Sequence, residues 1–279
     1  MCVYIYINKI HPAAMAEKNE KKQHFILVHG ACHGAWCWYK LKPLLEAAGH
    51  RVTVLDMAAS GIDRRPLEEV RTFSDYSKPL LETMDGVIGD GGKVIMVGHS
   101  LGGLSLALAM EAHPDKIAAA VFLTAYVPDT VNSPSYVLDM HTEKTQIEDL
   151  LDMEFCCNGS TNEPFTSMLF GPKFLSSYLY HLSPIEDLEL AKTLVRPSSV
   201  FQENLSKANN FSEEKFGKVT KVYVICSEDK ILEKQFQEWL IQNSGIKNVM
   251  EIEGADHMAM FSKPQQLCQC LLHIAKKYA

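Results

Sequence analysis

The chain has 279 residues, 47% hydrophobic and 22% charged, with a formal net charge of −7 at pH 7. This is an ordinary globular mix, long enough for one generous domain or a domain carrying an insertion. The acidic balance, with no basic run, argues against nucleic acid or an anionic membrane surface as partner, and no apolar run reaches the length of a membrane span.

Residues 1–23 read as a flexible N-terminal tail. The apolar stretch 3–7 is too short to cross a bilayer and lacks the basic start and cleavage site of a secretory signal. Met15 opens a more ordinary beginning, and the C-terminal Lys-Tyr-Ala is no retention or peroxisomal address. A cytoplasmic location is therefore expected. The eight cysteines show no metal-type spacing and are expected as reduced, buried thiols.

From residue 24 onward, short apolar runs alternate with helical patterns. Strands are expected over 24–28, 51–55, 93–97, 118–123, 221–226 and 248–252, mostly β-branched and continuously apolar, as in a sheet covered on both faces. Helical patterns cover 36–48 (closed by Gly49), 63–72, 74–88, 101–113 (before Pro114), 234–244 (before Gly245) and 265–277 (after Pro264). Repeated βα units indicate an α/β fold with a doubly wound, mostly parallel sheet. The alternation breaks between about 128 and 211, where prolines, aromatics and short helical pieces accumulate. There Ser183-Pro184-Ile185-Glu186-Asp187 reads as a helix start, with a serine cap, proline first and acids in the first turn. Residues 128–210 are read as a cap inserted between core segments 24–127 and 211–279. It would cover the carboxyl edge of the sheet, where such folds bind ligands.

Gly98-His99-Ser100-Leu101-Gly102 joins the strand at 93–97 to the helix that follows. G-x-S-x-G between strand and helix is a nucleophile elbow, whose glycines remove the Cβ atoms that would crowd a strained serine turn. A serine alcohol needs a base, and the base an orienting carboxylate. In hydrolases with this elbow the chain order is serine, acid, histidine. His257 and Asp229 each lie just past a late strand, and both positions bring side chains to the edge that holds Ser100. Glu228 and Asp256 are rivals to Asp229, which is favoured by its place in the loop. Structural roles are expected for His24, His50, His113 and His181, and His141 could also line a pocket. The oxyanion donors are expected from the N–H of Leu101 and, in the loop His29-Gly30-Ala31-Cys32-His33-Gly34, from that of Ala31.

These residues do not stand alone. His29-Gly-Ala-Cys-His-Gly-Ala-Trp36, Trp38-Tyr-Lys-Leu-Lys-Pro-Leu-Leu45, Gly98-His-Ser-Leu-Gly102, Phe170-Gly-Pro-Lys-Phe174, Val195-Arg-Pro-Ser198 and Gly254-Ala-Asp-His-Met258 together resemble the plant α/β-hydrolase family of methylesterases and hydroxynitrile lyases, from residue 24 to the C-terminus. The resemblance implies an α/β-hydrolase core with a cap, no cofactor, no metal, a homodimer, a small-molecule ester substrate, and a triad of Ser100, Asp229 and His257 with oxyanion donors Ala31 and Leu101. The lyase branch carries threonine where Gly30 stands and lysine where Met258 stands. That lysine stabilises departing cyanide, so ester hydrolysis is expected over cyanohydrin cleavage. Against a salicylate-type pocket, Phe155, Met168 and Phe170 keep an apolar, aromatic character, while Tyr126, His141 and Leu150 depart toward a roomier, more polar one. With Gly30 and Met258, all of these but Leu150 are the candidate substrate contacts. The expected substrate is a methyl ester of a plant hormone or of an alkaloid, the latter freeing a β-carbonyl acid able to lose carbon dioxide. The alternative outside catalysis is a ligand receptor with residual turnover.

Overall fold

In the computed structural model, which describes residues 3–6, 22–86, 92–160 and 163–278, the apolar runs form strands packed on both faces. In chain order the strands are β1 (Val3–Tyr6), β2 (His24–Val28), β3 (Arg51–Leu55), β4 (Val94–Ser100), β5 (Ile117–Ala125), β6 (Glu154–Ser160), β7 (Glu163–Leu169), β8 (Ser198–Ser199), β9 (Lys221–Cys226) and β10 (Asn248–Ile252). Seven make one wholly parallel sheet in the order β1-β10-β9-β5-β4-β2-β3. Alternate residues feed two separate hydrophobic clusters. Ile26, Val28, Val94 and Met96 join one, and Phe25, Leu27, Ile95 and Val97 the other. That is the period of two expected when both faces are covered.

The helices include α1 (Leu41–Ala47), α2 (Phe73–Gly86), α3 (Gly102–Ala112) and, in the cap, α4 (Tyr136–Thr142). The single helix expected over 36–48 is two pieces, a 3₁₀ turn at Ala35–Trp38 and then α1. Pro43 has no N–H to give to the Tyr39 carbonyl, so one unbroken helix cannot run through. Of the helical pattern over 63–72, only the 3₁₀ turn Leu67–Glu69 forms, directly after Pro66. Instead Thr72 and Asp75 cap α2 reciprocally: Asp75 N–H donates to Thr72 Oγ1 at 3.0 Å and Thr72 N–H to Asp75 Oδ2 at 2.9 Å.

The tail expected over 1–23 is corrected at Val3–Tyr6, which add an edge strand in parallel register with Asn248–Glu251. An unpaired β10 edge offers a row of main-chain donors and acceptors, and β1 uses them. Residues 7–21 lie outside the described residues. In the cap, β6, β7 and β8 form a small antiparallel sheet where short helices were expected. Cys32, Cys37, Cys226, Cys268 and Cys270 are buried free thiols, whereas Cys156 and Cys157 are exposed on β6, against expectation. Among the described residues, no helix is long and apolar enough to cross a membrane.

Close packing of α3 on the sheet depends on glycine. A Cβ added at Gly103 would lie 2.2 Å from the Tyr126 carbonyl oxygen, a main-chain atom with little room to yield. Gly103→Ala is therefore expected to cost about 1–3 kcal/mol and to lower the melting temperature by several degrees in differential scanning calorimetry. An unchanged melting temperature would contradict this packing.

Candidate active site

Four strand ends meet at one edge of the sheet. Ser100 ends β4 with φ 53°, a left-handed conformation that a side chain rarely adopts. The turn fits because its neighbours are bare. A Cβ on Gly98 would lie 2.8 Å from the Gly102 carbonyl oxygen, and one on Gly102 2.7 Å from the His29 carbonyl oxygen. Gly30 lies against the same turn, its hypothetical Cβ 2.8 Å from the Ser100 Cβ. The elbow and the loop after β2 are thus in van der Waals contact.

Asp229 follows β9 and is buried. Its Oδ2 accepts from His257 Nδ1 at 2.7 Å and from the Thr124 hydroxyl. Its Oδ1 accepts the N–H groups of Ile231 at 2.7 Å and Leu232 at 3.0 Å. This satisfied carboxylate fixes one imidazole tautomer, proton on Nδ1, and leaves Nε2 as an acceptor. Glu228 points to solvent, so the rivalry between neighbours resolves in favour of Asp229 as the histidine's partner. Asp256 is fully buried but turns away. Its Oδ1 accepts from Met258 N–H and Ser262 Oγ, its Oδ2 from Leu182 N–H and Ser183 Oγ. Ser183 therefore does not cap the helix Ile185–Leu194, whose N-cap is Pro184.

Three histidines to which the sequence reading gave no role organise the site. His29 Nε2 accepts the Met57 N–H at 3.0 Å, so its proton sits on Nδ1, 2.7 Å from the Gly30 carbonyl. That fixes the Gly30–Ala31 peptide plane. Because the peptide is trans, the Ala31 N–H points opposite to the carbonyl held by His29. His33 repeats the device one peptide later, bonding the Ala31 carbonyl through Nδ1 at 2.8 Å and Tyr180 Oη through Nε2 at 2.8 Å. His99 donates from Nε2 to the His257 carbonyl at 2.8 Å, and the two rings lie 4.6 Å apart. This bond ties the elbow to the loop that carries His257. The signal was available in sequence: a tight loop has carbonyls to satisfy, and histidines stood beside them. Among the described residues, the Ala31 and Leu101 N–H groups have no internal acceptor.

Burial lowers the affinity of these rings for protons. His33 is held down at about 3, His29 lies below the ordinary histidine value, and His99 lies well below it, in each case chiefly through desolvation. Neutral rings beside His257 add no positive charge at neutral pH.

The remaining candidates fall into two groups. Ala31, Leu101 and Tyr126 belong to one core cluster, with Met168 and Phe170 packed against it. The Tyr126 hydroxyl bonds His141 Nδ1 at 2.8 Å. Met258 is buried in the other cluster, with Trp38 and Phe261, and Phe155 is 50% exposed on the cap hairpin opposite Met168.

Residues 25–269 match the model of the alpha/beta hydrolase family. The chain is 59% identical to salicylic acid-binding protein 2 of Nicotiana tabacum, over 92% of this chain and 98% of that protein. It is 52% identical to methylesterase 4 of Arabidopsis thaliana, over 94% and 100%. The crystal structure of polyneuridine aldehyde esterase, a protein of Rauvolfia serpentina, is similar with a TM-score of 0.89 at 47% identity, covering 91% of this chain and 100% of that one.

The neutral rings also make folding sensitive to acid. Unfolded histidines take up protons near 6.5, whereas folded His33 does so only near 3. Between those values the unfolded chain binds more protons, so stability must fall as the pH drops. Each fully buried ring contributes up to about 1.4 kcal/mol per pH unit. The urea midpoint is expected to decline steadily from pH 7 to pH 5. A flat midpoint across that range would show that the rings are not held neutral.

Proposed function

The chain belongs to the alpha/beta hydrolase family, among its plant methylesterases, and from that premise we propose that it cleaves a methyl ester of a small metabolite through a Ser100–His257–Asp229 acyl-enzyme mechanism. The observation that carries this reading is the buried 2.7 Å bond between Asp229 and His257. It lies at the sheet edge where Ser100 is held at φ 53°.

In the proposed reaction His257 Nε2 takes the Ser100 proton as the oxygen attacks the ester carbonyl. The developing alkoxide accepts from the N–H groups of Ala31 and Leu101, which are free of internal acceptors and so cost no reorganisation. Collapse breaks the bond to the methoxy group, and His257 returns the proton to release methanol. Water, deprotonated by the same nitrogen, then splits the acyl-serine to acid and free enzyme. Asp229 holds the tautomer throughout and stabilises the imidazolium. No step calls for a metal or cofactor.

Identity to salicylic acid-binding protein 2 and the methylesterases supports a hormone-type methyl ester as substrate. Similarity to polyneuridine aldehyde esterase supports a second reading, a methyl ester on an alkaloid skeleton. Its β-carbonyl acid product would lose carbon dioxide without help from the protein.

The test is methanol release from a panel of both ester classes, with products followed by mass spectrometry. Ser100→Ala is expected to lose at least about 10³-fold in kcat while keeping its melting temperature, and Asp229→Asn about 10⁴-fold through the wrong tautomer. Undiminished hydrolysis by Ser100→Ala would remove Ser100 from the mechanism. Turnover of no ester, together with tight ligand binding, would favour a receptor.

A further inference from the structure

One hydrogen-bonded chain beside the catalytic groups has its proton directions fixed, and they say what it can receive. His141 Nε2 lies 2.9 Å from the Ile231 carbonyl, which can only accept, so Nε2 carries the proton. In the neutral ring Nδ1 is then an acceptor, and the Tyr126 hydroxyl, 2.8 Å away, must donate to it. The tyrosine oxygen has spent its only proton and offers nothing but lone pairs. Burial also lowers the proton affinity of His141, which keeps this direction at neutral pH.

Both ends of the chain are pinned to the site. The Tyr126 N–H donates to the Ser100 carbonyl at 3.1 Å, and the Ile231 N–H donates to Asp229 Oδ1 at 2.7 Å. The Phe236 ring lies tilted against His141, with centroids 5.2 Å apart, and packs it from one side. Tyr126 is only 8% exposed, so its oxygen faces the interior rather than bulk water.

We propose that Tyr126 and His141 form an acceptor-only wall that selects esters bearing a hydrogen-bond donor, a hydroxyl or N–H, on the body of the molecule. This rests on the ester-hydrolase reading above and adds the substrate class. A donor-bearing ligand pairs with the buried oxygen. A ligand that is methylated at the donor leaves that oxygen desolvated and unpaired, and rejection of this kind is stronger than a missing methylene can give.

Matched esters test it: methyl indole-3-acetate against its N-methyl analogue, and methyl 4-hydroxyphenylacetate against its 4-methoxy analogue. In the wild-type protein, kcat/KM is expected to favour the donor-bearing member of at least one pair by about tenfold or more. Tyr126→Phe should bring that ratio close to one. His141→Phe should do the same with the tyrosine still present, because a released hydroxyl can turn and donate to an ether oxygen. Binding of the same pairs to the Ser100→Ala protein, followed by calorimetry, separates the two claims. Absence of hydrolysis with a retained binding ratio overturns the ester reading and keeps the wall. Equal affinities within both pairs, a preference for the methylated members, a ratio unmoved by Tyr126→Phe, or no binding of any donor-bearing ester overturns the wall.

Discussion

The arrangement of this sheet edge depends on one close contact, the loop at Gly30 lying against the turn at Ser100. In this conformation the approach needs glycine, since a Cβ at position 30 would meet the Ser100 Cβ at 2.8 Å and a larger residue would require the loop to shift. The contact is made under strain. Cys32, Ala59, Ser100 and Thr124, following or ending β2, β3, β4 and β5, all have positive φ. Such conformations cost of order 1–3 kcal/mol each and persist only where surrounding structure over-determines them. Here the surroundings are the ladders of the sheet's centre and α3 packed across them. These four residues lie at one edge of the sheet, and a fifth, Leu151, lies in the cap; at the edge Thr124 gives its hydroxyl to Asp229, beside the turn that holds Ser100.

Charge at that edge is arranged by exclusion. His29, His33 and His99 are neutral because burial makes protonation costly, and each is committed to a main-chain carbonyl. They behave as rigid hydrogen-bonding struts. His257 alone faces a carboxylate, at 2.7 Å. The same desolvation that makes the struts neutral makes them costly in acid, so their neutrality and the acid sensitivity of the fold have one physical origin.

Much of this was legible in the residues. The strands at 24–28, 51–55, 221–226 and 248–252 agree with the structure to the residue, because parallel strands covered on both faces read as short, mostly apolar and β-branched runs. The pairing of Asp229 with His257, and the elbow at Ser100, were legible because an elbow and two strand ends are local patterns that parallel topology brings to one edge. The cap hairpin was not legible. Glu154, Phe155, Cys156 and Cys157 are all exposed, and the strand character of this segment comes from pairing with β7 rather than from any alternation of its own. The edge strand β1 was missed for the same reason, since what orders it is the vacant side of β10. Nor could sequence choose where Ser183 would bond. Its local option was the helix N-terminus, and a buried carboxylate 73 residues away competed successfully.

That last bond bears on how the cap and the catalytic loop relate. Asp256 divides its two oxygens, one holding Met258 N–H and Ser262 Oγ within the His257 loop, the other holding Leu182 N–H and Ser183 Oγ of the cap. Asp187, one helical turn further along the cap, binds Tyr39 and Lys40 of the core. Arg196 closes the other side, its N–H on the Cys32 carbonyl at 3.0 Å and its guanidinium on the Gly61 and Asp63 carbonyls. The cap is thus fastened to the two loops that carry His257 and Ala31. A cap seated only by apolar contact could slide without consequence for His257. One seated through Asp256 cannot shift at residues 182–183 without leaving a buried carboxylate short of donors next to the imidazole, a cost of several kcal/mol at this depth. The seating of the cap at residues 182–183 and the conformation of the loop that carries His257 are therefore coupled through one buried carboxylate.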